Sequence, residues 1–277
     1  MHSYGVCMAL GILCAYWALL RLGGRAGLDE RALGNLVALL VACGLAGARF
    51  FYVAEHWRWY RGDPASVFRI WEGGLMFYGS VAGGAAALLA WCLVRRRAPL
   101  AMLDLFAAVL PLGQAFGRVG CFMNGCCHGR PWDGALAVSF PARSAPWADQ
   151  VAAGLLPESA ARSLPVFPVQ LLEALGCLAL GVALAALYLR AFSRDGGSGA
   201  AAGGRHPLRG VVLAGYLAGY GALRFWTETL RGDARARPLG GALSISQTIS
   251  AGAIALSAAL FVAVAVRRAR AGRHGRA

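Results

Sequence analysis

Lysine is absent from this chain of 277 residues, and all 27 basic residues are arginine. In a sequence so rich in alanine and glycine, a GC-rich genome accounts for that choice better than any function. Charge of either sign is also scarce. Charged residues make up 14% of the chain and apolar residues 58%, whereas a soluble domain carries about 25% charged residues. That shortage excludes a soluble globular protein and points to an integral membrane protein. The net charge of +14 does not indicate a nucleic-acid partner, which would need a basic face on a folded domain. Here the arginines fall between hydrophobic runs. The opening Met1-His2-Ser3-Tyr4-Gly5 lacks the basic n-region and small-residue cleavage site of a signal peptide, so the first apolar run is expected to stay as a membrane helix. No internal repeat is visible, which weighs against a transporter built from inverted repeats.

What the chain does have is apolar length. A helix crosses a bilayer with about 20 mostly apolar residues, and roughly seven stretches reach that scale: 4–22, 33–54, 74–94, 100–122, 168–189, 210–230 and 245–266. The expected fold is an all-α integral membrane protein with about seven transmembrane helices in a single membrane domain spanning 1–277. Arginine placement sets its orientation. With the N-terminus outside, the cytoplasmic side collects fifteen arginines and four acids, and the other side nine arginines and seven acids. The balance of +11 against +2 predicts an N-out, C-in topology. Two connections exceed a turn. Residues 195–206 read as a flexible, glycine-rich cytoplasmic linker. Residues 129–166, with five prolines, read as a small head outside the membrane with little helix.

Ionisable groups at membrane depth are costly and mark sites that handle something polar. Arg49, Arg118 and Arg224 lie at that depth, against Glu173 and Glu228. Tyr220, Arg224, Glu228 and Arg231 follow at i, i+4, i+8 and i+11, on one helix face. An Arg224–Glu228 pair can be purely structural. The excess of arginine nevertheless leaves a guanidinium for an anion arriving from outside, and its planar fork suits phosphate. Gln170 and Glu173 stand at i, i+3 just after Pro168, where capping and solvation are favoured somewhat over function. Glycines crowd around Tyr78 in Glu72-Gly73-Gly74-Leu75-Met76-Phe77-Tyr78-Gly79, which suits helix packing, with Tyr78 as an interfacial aromatic.

The densest stretch is Gly117-Arg118-Val119-Gly120-Cys121-Phe122-Met123-Asn124-Gly125-Cys126-Cys127-His128-Gly129-Arg130. Three thiols and an imidazole raise metal or redox chemistry. The spacing C-x4-C-C-H is not a zinc pattern, nor the C-x-x-C-H of haem attachment. A disulfide or small-residue packing ranks above metal binding, so no metal ligand is assigned. Cys7, Cys14, Cys43, Cys92 and Cys177 stand singly in apolar runs as core filler.

These segments together resemble the prolipoprotein diacylglyceryl transferase family. Its signature frame, Gly-Arg-x-Gly-Asn-Phe-x-Asn-Gly-Glu-x-x-Gly-Arg, is matched from Gly117 to Arg130. His2-Ser3-Tyr4-Gly5, Gly73 to Gly79, Pro168 to Glu173, Tyr220 to Arg231 and Ser244-Ile245-Ser246-Gln247 follow the family order. The resemblance implies a bacterial inner-membrane enzyme with a periplasmic head and a site facing the periplasm. Such an enzyme moves a diacylglyceryl group from phosphatidylglycerol to the lipobox cysteine of prolipoprotein signal peptides, without a cofactor. It implies catalytic roles for Arg118, Arg224 and Tyr78, and substrate-binding roles for Tyr4, Asn124, Gly129, Gln170, Glu173, Glu228 and Arg231. The chain departs from the family in four places: Tyr78 and Phe167 stand where histidine is usual, Cys121 at the signature asparagine and Cys126 at the signature glutamate. The alternative is a paralogue without transfer activity, acting in lipid binding or in thiol and metal chemistry through Cys121, Cys126, Cys127 and His128.

Overall fold

The structure is a computed structural model that describes residues 2–192, 208–233 and 242–274. The linker expected at 195–206 lies outside the described residues. Among the described residues the helices are α1 (His2–Arg25), α2 (Glu30–Glu55), α3 (Trp57–Tyr60), α4 (Phe77–Val94), α5 (Pro99–Met123), α6 (Ala145–Ala152), α7 (Val169–Phe192), α8 (Val211–Glu228) and α9 (Ile245–His274), with two 3-10 turns between α3 and α4. No strand forms among them; extended pairing is limited to isolated bridges such as Pro131 with Val166 and Gly129 with Arg231.

The protein is an all-helical integral membrane protein. Among the described residues five helical stretches are long and apolar enough to cross a bilayer: Ser3–Arg25, Glu30–Glu55, Pro99–Met123, Val169–Phe192 and Ile245–Arg270. Tyr78–Val94 is apolar but shorter. Helix α8 has 18 residues, and the charges of Arg224 and Glu228 near its end lower its hydropathy. The described residues fall into two compact units: most of α1 and α5 with α6 to α9 in one, and α2 to α4 in the other.

In the smaller unit, glycine lets two helices meet backbone to backbone. A Cβ on Gly47 of α2 would collide with the Gly79 carbonyl, and one on Gly83 of α4 with the Cys43 carbonyl. This is the small-residue mode of packing in a lipid solvent, where close van der Waals approach replaces the hydrophobic effect. Arg49, buried on α2, holds the chain entering α4. Its Nε donates to the Val67 carbonyl at 2.7 Å, Nη2 to Ser66 at 2.7 Å, and Nη1 to Gly73 and Gly74 at 2.8 and 3.1 Å. Gly74, at φ +73°, leaves no room for a side chain against Tyr52 and Arg49. The Gly73-Gly74 pair is thus required by the turn that Arg49 grips. Arg49 is committed to backbone carbonyls and does not add to the guanidinium surplus expected for an anion.

In the larger unit, Asp104 of α5 is fully buried and caps α8 from outside its own helix. Its carboxylate accepts from the backbone N–H of Gly210 at 2.6 Å and of Leu213 at 2.8 Å, offsetting the unpaired donors of that helix start. The loop after α5 carries α6, and the buried Ser163 hydroxyl accepts from the Phe140 N–H at 2.9 Å.

The α2–α4 contact leads to a direct expectation. Gly83→Leu should lower the thermal midpoint of the detergent-solubilised protein, at a cost of about 1–3 kcal/mol for overpacking. Gly84→Leu, at a position open to space, should leave the midpoint unchanged. Equal effects of the two would remove the packing explanation.

Candidate functional site

The site is built on the carboxylate of Glu173. Pro168 precedes α7 and suits its start, and Gln170 and Glu173, one turn apart, share a face that is buried. The Glu173 side chain is 3% exposed. A carboxylate in such a place must be paired and hydrogen-bonded or it becomes neutral. Its Oε1 accepts from Arg224 Nη1 at 3.0 Å and from the Thr227 hydroxyl at 2.7 Å. Its Oε2 lies 2.8 Å from Arg118 Nε and 3.9 Å from Arg231 Nη1. One carboxylate therefore binds guanidiniums from α5, from α8 and from the segment after α8. The expectation that Gln170 and Glu173 could serve only as capping and solvation is overturned: neither is solvated.

The second carboxylate, Glu228, sits one turn beyond Arg224 and pairs with its Nη2 at 2.6 Å. Arg224 Nη2 also donates to Ser246 Oγ at 3.0 Å, and the Ser244 hydroxyl donates to Glu228 Oε1 at 2.7 Å. Ser244 starts α9 in a capping box: its Oγ accepts from the Gln247 N–H at 3.2 Å, and Gln247 Oε1 accepts from the Ser244 N–H at 3.1 Å. The Ser-Ile-Ser-Gln segment thus ends a helix and fixes a guanidinium at once. Arg231, past the end of α8, pairs with Asp233 through Nε and Nη2 at 2.8 and 2.9 Å. Among the described residues the cluster holds three guanidiniums and three carboxylates, so the expected arginine surplus is absent.

Accessibility separates the arginines. The Arg118 side chain is 21% exposed, Arg224 10% and Arg231 2%. Arg118 meets Glu173 through Nε, and its two terminal nitrogens make no carboxylate pair among the described residues. Tyr220 of α8 lies beside the same guanidinium.

Backbone contacts deliver the thiols and Arg231 to this cluster. Gly129 donates to the Phe167 carbonyl at 3.2 Å, Arg130 to that of Leu230 at 2.9 Å, and Gly232 to that of His128 at 3.1 Å. A Cβ on Gly129 would collide with the Phe167 carbonyl, and one on Gly232 would stand 2.5 Å from the Gly129 oxygen. Gln170, fully buried, donates through Nε2 to the Cys126 carbonyl at 2.8 Å, while its Oε1 has no hydrogen-bond partner among the described residues. Cys121, Cys126 and Cys127 bring their Sγ atoms within 4.8 Å of one another, and all eight cysteines are free, so of the two readings ranked first for this trio, a disulfide or small-residue packing, no disulfide is formed. The Cys127 thiol, outside the spans, is drawn well below its ordinary pKa, first by a hydrogen bond from Cys121 and further by the Arg231 and Arg118 guanidiniums. His128 does not join the thiols. It is buried, with Nε2 2.9 Å from Asp149 Oδ2 and Nδ1 2.9 Å from the Gly129 carbonyl.

Of the residues singled out in the sequence, Arg118, Arg224, Arg231, Glu173 and Glu228 meet directly, and Gln170 and Gly129 hold the adjoining backbone. Tyr4 of α1 faces Gly120 and lies within electrostatic reach of the thiols and Arg118. Asn124 is exposed just past α5 and makes no side-chain hydrogen bond among the described residues. Tyr78 is exposed at the start of α4, in the other unit. Thr227, Ser244, Ser246 and Asp233 belong to the cluster without having been expected there. Thr227 carries a sequence signal, lying three residues beyond Arg224 on the same helix.

Comparison with known proteins agrees on one family. The family model for prolipoprotein diacylglyceryl transferase matches residues 1–263. The chain is 31% identical over 250 residues to phosphatidylglycerol–prolipoprotein diacylglyceryl transferase 2 of Clostridium perfringens, covering 90% of this chain and 86% of that one. It is 33% identical over 254 residues to the phosphatidylglycerol–prolipoprotein diacylglyceryl transferase of Synechococcus elongatus, covering 91% and 79%. The protein of the same name from Thermosynechococcus vestitus is 30% identical over 256 residues, covering 92% and 85%.

Because Glu173 compensates two close guanidiniums, Glu173→Gln keeps its shape and leaves them unpaired. Loss of one partner from a buried pair costs about 3–5 kcal/mol, so the thermal midpoint should fall more for Glu173→Gln than for Asp233→Asn. The reverse order would contradict a network centred on Glu173.

Proposed function

The chain belongs to the prolipoprotein diacylglyceryl transferase family, and we propose that it transfers the diacylglyceryl group of phosphatidylglycerol to the lipobox cysteine of prolipoprotein signal peptides. The observation that carries the reading is Arg118, held in place by a buried carboxylate through Nε while its terminal nitrogens stay out of any carboxylate pair among the described residues. That edge suits a bidentate bond to the lipid phosphate. In the reaction the substrate sulfur forms a bond to the glyceryl carbon, the carbon–oxygen bond to phosphate breaks, and glycerol phosphate leaves with the electron pair. Negative charge grows on the phosphate oxygens as that bond breaks, and fixed guanidiniums in a low-dielectric cleft stabilise it without reorganising.

Arg224 is fixed by Glu173, Glu228 and Ser246, which supports a role in shaping the cleft and adding positive potential. A free thiol has a pKa of about 8.5 and reacts as its thiolate, so the substrate sulfur must lose a proton. Tyr78, acting as its phenolate, is proposed as the group receiving it, from its place at the family's histidine position. Tyr4, Asn124, Gly129, Gln170, Glu173, Glu228 and Arg231 are proposed to surround the substrates or hold the residues that do. We further propose seven spans, α4 and α8 among them, an N-out, C-in orientation in the bacterial inner membrane, a periplasmic head at 129–166, a site open to the periplasm and no nucleic-acid partner.

The test is transfer of a radiolabelled diacylglyceryl group from phosphatidylglycerol to a lipobox peptide by the purified protein. Thioether product should form, and Arg118→Ala and Arg224→Ala should each slow it about 100-fold or more, the scale of losing one preorganised charge-stabilising donor. Tyr78→Phe should lose activity without loss of folding. An inactive intact protein, or a fully active Arg118→Ala, would overturn the reading.

A further inference from the structure

The three thiols beside the arginine cluster have no part in the transfer chemistry described above, yet the backbone is shaped to gather them. Cys121 occupies the last turn of α5. The chain then reverses through Gly125 at φ +66° and Cys127 at φ +60°, so that the Cys126 N–H donates to the Cys121 carbonyl at 3.1 Å and the Cys126 thiol lies 3.6 Å from that oxygen. The left-handed region is ordinary for Gly125 but costly for Cys127, and backbone strain of this kind tends to gather at functional sites. The outcome is three sulfurs within 4.8 Å of one another. A trigonal metal ion with bonds of about 2.3 Å to sulfur holds its three sulfurs about 4 Å apart, so only small side-chain rotations separate this arrangement from a closed site.

We propose that Cys121, Cys126 and Cys127 form a three-thiolate site for a soft monovalent metal ion of the Cu(I) class. Thiolates select soft ions. The coordination number argues further: structural zinc takes four protein ligands, and His128, the histidine beside them in sequence, has Nε2 on Asp149 and Nδ1 on the Gly129 carbonyl. Among the described residues no His, Asp or Glu joins the three sulfurs. The surrounding cations also favour thiolate ligands, although Arg118 and Arg231 are shared with Glu173 and Asp233. Each ligating thiol gives its proton to solvent, three thiolates and one monovalent cation carry a charge of −2, and Arg231 and Arg118 both act on Cys127. Two guanidiniums beside a dianionic metal–thiolate group stabilise what would otherwise be an isolated charge near the membrane.

The site is tested with the full-length protein, reduced and anaerobic in detergent, titrated with Cu(I) against a chromogenic Cu(I) chelator. One Cu(I) per chain should be retained, with thiolate-to-Cu(I) absorption in the near ultraviolet. Loss of a mere supporting hydrogen bond lowers metal affinity about 10–100-fold, and Cys121→Ser, Cys126→Ser and Cys127→Ser should each exceed that. A chain with Cys7, Cys14, Cys43, Cys92 and Cys177 all changed to serine should bind as the intact one does. This second variant keeps the outcome readable if replacing the cluster itself prevents folding. Failure to hold Cu(I) against the chelator overturns the proposal, as does binding that survives replacement of all three cysteines. So does a thiol count showing that the reduced protein closes a disulfide between two of the three in place of taking up the ion.

Discussion

A single buried carboxylate organises the functional half of this protein. Glu173 lies on an apolar helix in a setting where an unpaired charge would be costly, and it is tolerated because Arg118, Arg224 and Thr227 all converge on its two oxygens. The constraint works in both directions. The carboxylate needs the cations to remain charged, and the cations need the carboxylate to be held at membrane depth. Helices α5, α7 and α8 are therefore registered against one another by polar contacts of narrow geometric tolerance, which apolar packing alone would leave free to slide.

The remaining parts of the site extend from that registration. Gln170, one turn before Glu173, grips the Cys126 carbonyl and so sets the chain leaving α5. Gly129 and Gly232 allow that chain to pass against both the start of α7 and the end of α8 at distances that no side chain would permit. Arg231 is thereby carried to Glu173 and Cys127. At the other end of α8, Asp104 caps the helix from α5, so the helix bearing Arg224 is fixed at both termini by groups from its neighbours.

Much of this was legible in the residues. Hydrophobic length located the five helices that are long and apolar enough to cross a bilayer among the described residues to within a few residues, because lipid imposes a minimum run. The i, i+4 spacing of Arg224 and Glu228 foretold their ion pair, since helical geometry makes neighbours of them. Less legible was anything that depends on which helices meet. Gln170 and Glu173 looked like a solvated helix start, because burial is decided by α5 and α8, which are distant in sequence. Arg49 counted toward the arginine excess at membrane depth, yet its guanidinium is spent on five carbonyls of a segment whose path could not be read from composition. His128 stood next to two cysteines in sequence and turned away from them, because Asp149, 21 residues later, folds back onto it. The segment Ser244-Ile245-Ser246-Gln247 stood out only through the family order, and the roles of its serines on Arg224 and Glu228 needed the tertiary fold.

The central claim is that Glu173 acts through Arg118, holding its terminal nitrogens where a lipid phosphate can meet them. A double-mutant cycle on transfer rate, using Arg118→Ala, Glu173→Gln and the two together, tests it most directly. Residues that act as one unit are strongly non-additive, so Glu173→Gln should cost much less in the Arg118→Ala background than in the intact protein, the remainder passing through Arg224. Rate losses that simply multiply would contradict the account and separate the carboxylate from the arginine it is held to position.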